Sequence, residues 1–262
     1  AAAWHRQAGN LDEAIGHASA AGEFVEAAAL IARHWLTYWR RGQRATVARW
    51  LDGLPDEAIM ANPPVAYVAA WIRGYSGASK QECEHWLAAG EDATWEGALP
   101  AGVVSLDFAA ALTRAAALFD DVGRAARAAR RARELAPQPS PYWWMAQAAL
   151  GQALYLSGKS AEPRSLLEEL VARALATEQP YAVITGLAVL SLLAGDEDDD
   201  PTATSLASRA AAIAEAQGIS ADPLCGIVHM ALGRALIRQA RFTEAQEQLE
   251  WALELFGIDG MA

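Results

Sequence analysis

Little in this chain could cross-link it or anchor it in lipid. Its 262 residues include two cysteines, Cys83 and Cys225, far apart and in no Cys-x-x-Cys pair. That argues against a disulfide framework and a thiolate zinc site, and two free thiols suit a reducing, cytoplasmic compartment. No apolar run reaches the ~18–20 residues that a bilayer span needs. Alternating β-branched runs are missing too, so no sheet is expected. Positive charge is scarce: 21 Lys and Arg stand against 32 Asp and Glu, for a net charge of −11. A surface of that sign repels nucleic acid and acidic membranes alike.

Catalytic patterns are equally thin. The histidines at 5, 17, 34, 85 and 229 form no His-x-x-x-His or His-Glu-x-x-His pair, and there is no Gly-x-Ser-x-Gly elbow. Gly158-Lys159-Ser160 comes nearest to a phosphate loop, but it lacks the upstream glycine and strand. The acid pairs Asp120-Asp121 and Glu168-Glu169 belong at helix ends and on solvated faces. No enzyme activity, catalytic residue, metal or cofactor is expected.

What the chain has in quantity is apolar helix former. Hydrophobic residues make up 53% of it, with alanine foremost, which suits closely packed helices. Within helical patterns a phrase recurs, Gly-x-x-x-[Glu/Arg]-Ala, at Gly9–Ala14, Gly22–Ala27 and Gly123–Ala128, with looser copies at Gly158–Pro163 and Ala240–Ala245. A small residue at a tight turn, a polar run and an alanine at a close approach describe stacked helical hairpins, a solenoid. Apolar residues at spacings of three and four predict helices over 12–20, 24–40 and 46–54, after a first helix ending near Gln7. Longer hairpins come next: 65–75 with 80–89, 103–119 with 124–135, 142–156 with 161–176, 181–193 with 202–216, and 224–239 with 243–256. Turns are expected at Gly42, Gly77, Gly123, Gly158, Asp196 and Ala240, an irregular period near 40. The acidic run Asp196–Asp200 reads as a mobile loop with Asp200 or Thr202 capping the next helix. Residues 1–54 read as a short-helix bridge continuous with a repeat array over 55–262.

Two side-chain patterns could carry recognition. Arg124, Arg127, Arg130 and Arg131 share one helix face, either solvated or a docking face for an acidic surface. The ten tryptophans offer more. Trp71 and Tyr75 lie four apart. Tyr142-Trp143-Trp144 opens a helix continued by Gln152 and Tyr155, and adjacent tryptophans should not both face one side. One of the pair is therefore expected to look outward or into the groove, beside polar groups, as in a small-molecule site. His229, between Val228 and Met230, could touch the same ligand.

The stretch Ala-Trp-His-Arg-Gln-Ala-Gly-Asn-Leu-Asp-Glu-Ala-Ile from Ala3 resembles the start of the sensor region of MalT-like regulators, ATP-dependent transcriptional activators with a LuxR-type DNA-binding domain. Arg40–Glu57 and Asn62–Ala66 resemble the next segments of that region. The likeness covers about residues 3–90 and then weakens into tetratricopeptide-like repeats. It implies an all-α, right-handed superhelix of such hairpins that binds an inducer, and it implies that first helices line the concave side. Trp71, Tyr75, Arg114, Trp144, Gln152, Tyr155, His229 and Arg234 would then converge on a small-molecule effector. The partners implied are neighbouring nucleotide-binding and DNA-binding domains of a parent protein, with no direct nucleic acid and no membrane; self-association stays open. A protein- or peptide-binding scaffold is the alternative.

Overall fold

The computed structural model describes residues 10–39, 41, 43–91, 95, 97, 99, 103, 105–117, 121–136, 140–158 and 161–256. All regular structure among them is helical. Among the described residues there are fourteen α-helices: α1 (Leu11–Ala20), α2 (Phe24–Trp39), α3 (Arg44–Asp52), α4 (Asp56–Met60), α5 (Pro63–Gly74), α6 (Lys80–Glu91), α7 (Leu106–Ala117), α8 (Val122–Leu135), α9 (Pro141–Leu156), α10 (Ala161–Ala176), α11 (Pro180–Asp196), α12 (Asp200–Ala216), α13 (Gly226–Arg238) and α14 (Phe242–Leu255), with a 3-10 turn at Pro223–Cys225. The helix expected before Gln7 and the turns at Gly9 and Gly42 lie outside the described residues.

The helices form two compact units, Ala1–Thr113 and Arg114–Ala262. In the first, α1 packs on α2 and α3, and α5 packs on α2, α3, α4 and α6. In the second, each helix from α8 to α14 packs on its neighbour in sequence, and α11 also packs on α9 and α13. Packing mainly between neighbours is the organisation of a helical repeat.

The turns explain the recurring phrase. Seven of the helices end on a residue with positive φ: Gly22, Gly77, Gly158, Glu178, Asp198, Gly218 and Ala240. The next N–H then bonds back to the last turn, as from Glu23 to the Ala18 carbonyl at 2.9 Å, Asp199 to Ala194 at 2.9 Å and Arg241 to Leu236 at 3.0 Å. This closes off the helix's orphan carbonyls. In the second unit these residues stand at 158, 178, 198, 218 and 240, so helix plus turn recurs about every twenty residues. Two expected turns fall elsewhere. Gly123 lies in the first turn of α8, where Asp121 is the cap and accepts from the Arg124 N–H at 3.0 Å. Asp196 ends α11, and the chain turns at Asp198 because Asp199, rather than Asp200 or Thr202, caps α12 by accepting from the Thr202 N–H at 3.2 Å.

Ala240 holds φ +59° without being glycine. The left-handed conformation costs an L-residue about 1–2 kcal/mol, partly offset by glycine's freer unfolded chain. Ala240→Gly should therefore stabilise the protein by about 0.5–1 kcal/mol in urea denaturation; a neutral or destabilising result would count against the turn geometry.

The same register places the small residues. Seven positions before the turn stand Gly151, Ser191 and Gly233, and five after it Pro163, Ala203 and Ala245. A Cβ on Gly151 would lie 2.3 Å from Leu167 Cδ2, and one on Gly233 would lie 2.7 Å from Leu249 Cγ. Between them, Ser191 Oγ donates to the Ala203 carbonyl at 2.7 Å. Partner helices can approach closely only where these side chains are small.

The first unit is tied by polar as well as apolar contacts. Asp12 on α1 accepts from Trp50 Nε1 at 2.6 Å and from Arg49 at 2.8 Å, both on α3. The Trp50 hydrogen bond holds the Asp12 carboxyl below its ordinary range against the opposing effect of burial, with the Arg49 hydrogen bond and charge adding to the lowering. Its folded pKa therefore lies under the unfolded value of about 3.9. The stabilisation is full at neutral pH and is lost as pH falls through the folded pKa. Asp12→Asn should be less stable than wild type at pH 7, and the two should converge under acid. A gap that is constant with pH would mean the charge contributes nothing.

Candidate functional site

The expected ligand residues fall in both units. Trp71 and Tyr75 close α5 in the first. Their rings lie 5.3 Å apart and meet α2, with Trp39 at 5.9 Å from Trp71 and 5.3 Å from Tyr75, and Trp35 at 6.0 Å from Trp71. Trp71 is only 3% exposed. It is the centre of an aromatic core, and the Tyr75 carbonyl accepts from Arg44 at 2.9 Å.

The expectation that one of Trp143 and Trp144 faces outward is not met: they are 2% and 4% exposed. The reason is that α9 is packed by α8, α10 and α11, so it has no free side for a ring. The two indoles meet edge to face at 4.5 Å. Arg173 on α10 lies over both, at 4.7 and 5.8 Å, while its own guanidinium donates to Glu169 at 2.9 Å. Trp144 is thus a packing residue.

His229 is also buried. Its ring stacks on Trp251 at 4.0 Å, with Nδ1 2.8 Å from Gln248 Oε1 and Nε2 3.2 Å from the Ser220 carbonyl. Both nitrogens are engaged within the last hairpin and the loop before it. Arg114 and Gln152 are half-buried, on α7 and α9.

Two of the expected residues do meet. Arg234 on α13 donates to the Tyr155 hydroxyl, at the end of α9, at 2.9 Å, and to Asp196, the last residue of α11, at 2.6 Å. The cluster joins the first helices of three successive hairpins at one end of the unit. Burial raises the Tyr155 pKa, and Asp196 adds to the rise while Arg234 opposes it. For Arg234, burial disfavours the charge, but the bond to Asp196 and the contact with Tyr155 outweigh it and raise its pKa. Tyr155 therefore stays protonated and Arg234 charged at neutral pH.

The acidic run beside this cluster is held by arginines. Arg238 pairs with Asp198 and Asp200, and Arg164 with Glu197 at 2.5 Å. Asp196 and this ion-pair ladder escaped the sequence reading because the arginines lie over thirty positions away. Gln147, at 1% exposure on α9, has an unpartnered buried Oε1, and Trp143 Nε1, one turn earlier, is likewise without a partner. A glutamine in so apolar a helix was the available signal.

The arginine face is presented outward. Helix α8 buries Ala125, Ala126, Ala129 and Ala132 and leaves Arg124, Arg127 and Arg131 exposed. Arg130 pairs with Glu162 at 3.3 Å and Arg131 approaches Glu134 at 4.0 Å. Both cysteines are buried, which pushes the Cys83 thiol up to about 11 and the Cys225 thiol to about 12, so neither is a nucleophile at neutral pH.

Among the described residues no three His, Cys, Asp or Glu side chains are grouped to hold a metal ion, and no helix is long and apolar enough to cross a membrane. Compared with family models and with curated proteins, the chain matches none.

Proposed function

We propose that this chain is the inducer-sensing repeat domain of an ATP-dependent, LuxR-type transcriptional activator of the MalT-like kind, a non-catalytic module built of tetratricopeptide-like hairpins. The observation that supports it best is the Tyr155–Asp196–Arg234 cluster. Its members come from α9, α11 and α13 and hold one another by 2.6 and 2.9 Å hydrogen bonds. A ligand carboxylate or phosphate that takes the place of Asp196 on Arg234 would uncouple three hairpins at once. That is a differential contact able to shift a conformational equilibrium. The response would pass to the neighbouring nucleotide-binding and DNA-binding domains, with the arginine face of α8 as a surface for one of them.

The repeat register supports the tetratricopeptide-like assignment. Small residues twelve apart, at Gly151/Pro163, Ser191/Ala203 and Gly233/Ala245, let the two helices of each hairpin close on one another. Thermal-shift screening of metabolites on wild type and on Arg234→Met tests the functional reading. Anionic metabolites should raise the wild-type Tm and leave the variant's unmoved. Equal shifts in both proteins would place the site elsewhere. Stabilisation by peptides alone would replace the sensor reading with that of a scaffold.

A further inference from the structure

The outer face of the last hairpin carries a second recognition surface, independent of the effector reading. The repeat shows what such a face does elsewhere. On α10, Leu167, Leu170 and Val171 are buried, and the first helix of the next hairpin lies on them: a Cβ on Gly186 of α11 would come 2.6 Å from Val171 Cγ2 and 3.7 Å from Leu170 Cδ2. The register of the turns, 158, 198 and 240, carries these positions to Ala207, Ala210 and Ala211 on α12 and to Leu249, Ala252 and Leu253 on α14. One turn further on, Ala174 and Ala214 are 0% and 1% exposed, whereas their counterpart Phe256 is 40% exposed. Leu253, the counterpart of Val171, is 44% exposed, and Ile237, the counterpart of Tyr155 and of buried Gly195, is also 44% exposed. Of these places in the last described hairpin, Ile237, Leu253 and Phe256 are apolar and exposed, while Ala252 stays buried and Leu249 half-buried.

Exposed Phe242 continues the stripe along α14 to Leu253 and Phe256, with Leu249 half-buried beside it against Gly233. An exposed apolar stripe of this kind is an interaction surface. Charge decides what covers it. Between Phe242 and Phe256 stand Glu244, which Arg241 pairs, and Glu247, Glu250 and Glu254, with no Lys or Arg among them. A second copy meeting this face through the same face would set glutamates against glutamates. We propose that the α13–α14 face docks a further helical hairpin whose first helix is apolar, carries a glycine or alanine opposite Leu253 as Gly186 lies opposite Val171, and is flanked by Lys or Arg.

The probe is a synthetic helical hairpin of that design, titrated into the isotope-labelled chain while backbone amide resonances are followed. Shifts should concentrate at Ile237, Leu249, Leu253 and Phe256, weaken several-fold as salt rises, and vanish in Leu253→Glu, an exposed substitution whose fold is checked by an unchanged Tm. A control hairpin with Glu in place of its Lys should bind several-fold more weakly. Absence of shifts at millimolar probe, or equal binding of both hairpins, would overturn the proposal. Concentration-dependent broadening of the same resonances without probe, abolished by Leu253→Glu, would show a second copy to be the occupant instead. A result on Arg234→Met bears on none of these outcomes, so failure here and failure of the effector reading are separable.

Discussion

Trp71→Ala should destabilise the first unit by about 3–5 kcal/mol, the range for truncating a large aromatic in a well-packed core. The indole lies within 6.0 Å of Trp35, Trp39 and Tyr75 and is 3% exposed, so its removal leaves a cavity walled by rings that cannot collapse together. Aromatic contacts of this kind add to simple area burial. The Nε1 group carries a cost in the opposite direction, because it is buried without a hydrogen-bond partner. Trp71→Phe keeps most of the ring contact and removes that orphan donor, and should lose only about 1 kcal/mol. Chemical denaturation of both variants checks the pair. If alanine cost as little as phenylalanine, the ring would have to be a surface group, and the aromatic core would be wrong.

That outcome also bears on how the sequence is read. Trp71 with Tyr75, and Trp144 with Gln152 and Tyr155, looked like ring-and-polar sets on the first helices of hairpins. The helices themselves were legible: residues 24–40, 65–75, 142–156 and 161–176 were expected, against the observed Phe24–Trp39, Pro63–Gly74, Pro141–Leu156 and Ala161–Ala176. Glycines at Gly22, Gly77 and Gly158 marked the turns because positive φ favours glycine there. What local spacing could not show is that first helices are covered on several sides. Helix α11 buries residues from Ala182 to Gly195 around its whole circumference, and α9 buries both of its adjacent tryptophans. An all-round apolar helix is a buried one, and such a helix leaves a tryptophan no groove to face.

The same blindness to distant partners explains the acidic run. Five consecutive acids from Asp196 to Asp200 suggest a loop in solvent. In the fold, Arg164, Arg234 and Arg238 pair with four of them, and Asp199 caps α12. Positive φ at Glu178, Asp198 and Ala240 was hidden for a related reason: the conformation is set by the closing bonds of the turn, not by the residue type. Of the candidate site, the meeting of Tyr155 with Arg234 agrees with their expected placement on first helices of different hairpins. The connecting Asp196 had no such signal.

Gly186→Leu should cost the second unit about 3 kcal/mol or more, beyond the usual range for overpacking. A Cβ at this position would stand 2.6 Å from Val171 Cγ2, a stiff β-branched side chain that is itself buried. Helix α11 cannot move aside, because α9, α10, α12 and α13 all pack on it. Gly186→Ala should be milder, and Val171→Ala should restore much of its loss by removing the clashing methyl, a coupling that a double-mutant cycle measures. The same double change should not rescue leucine, whose remaining atoms have nowhere to go. Gly195, nine residues further along α11, provides the control: its added Cβ would meet only Ala203 Cβ, at 3.8 Å. Gly195→Ala should therefore gain helix propensity without a clash and stabilise by up to about 1 kcal/mol. Denaturation of Gly186→Ala, Gly186→Leu, the double variant and Gly195→Ala distinguishes a specified close approach at Gly186 from a general preference for small residues. Equal effects at 186 and 195 would show that α11 is not held against α10 at that point.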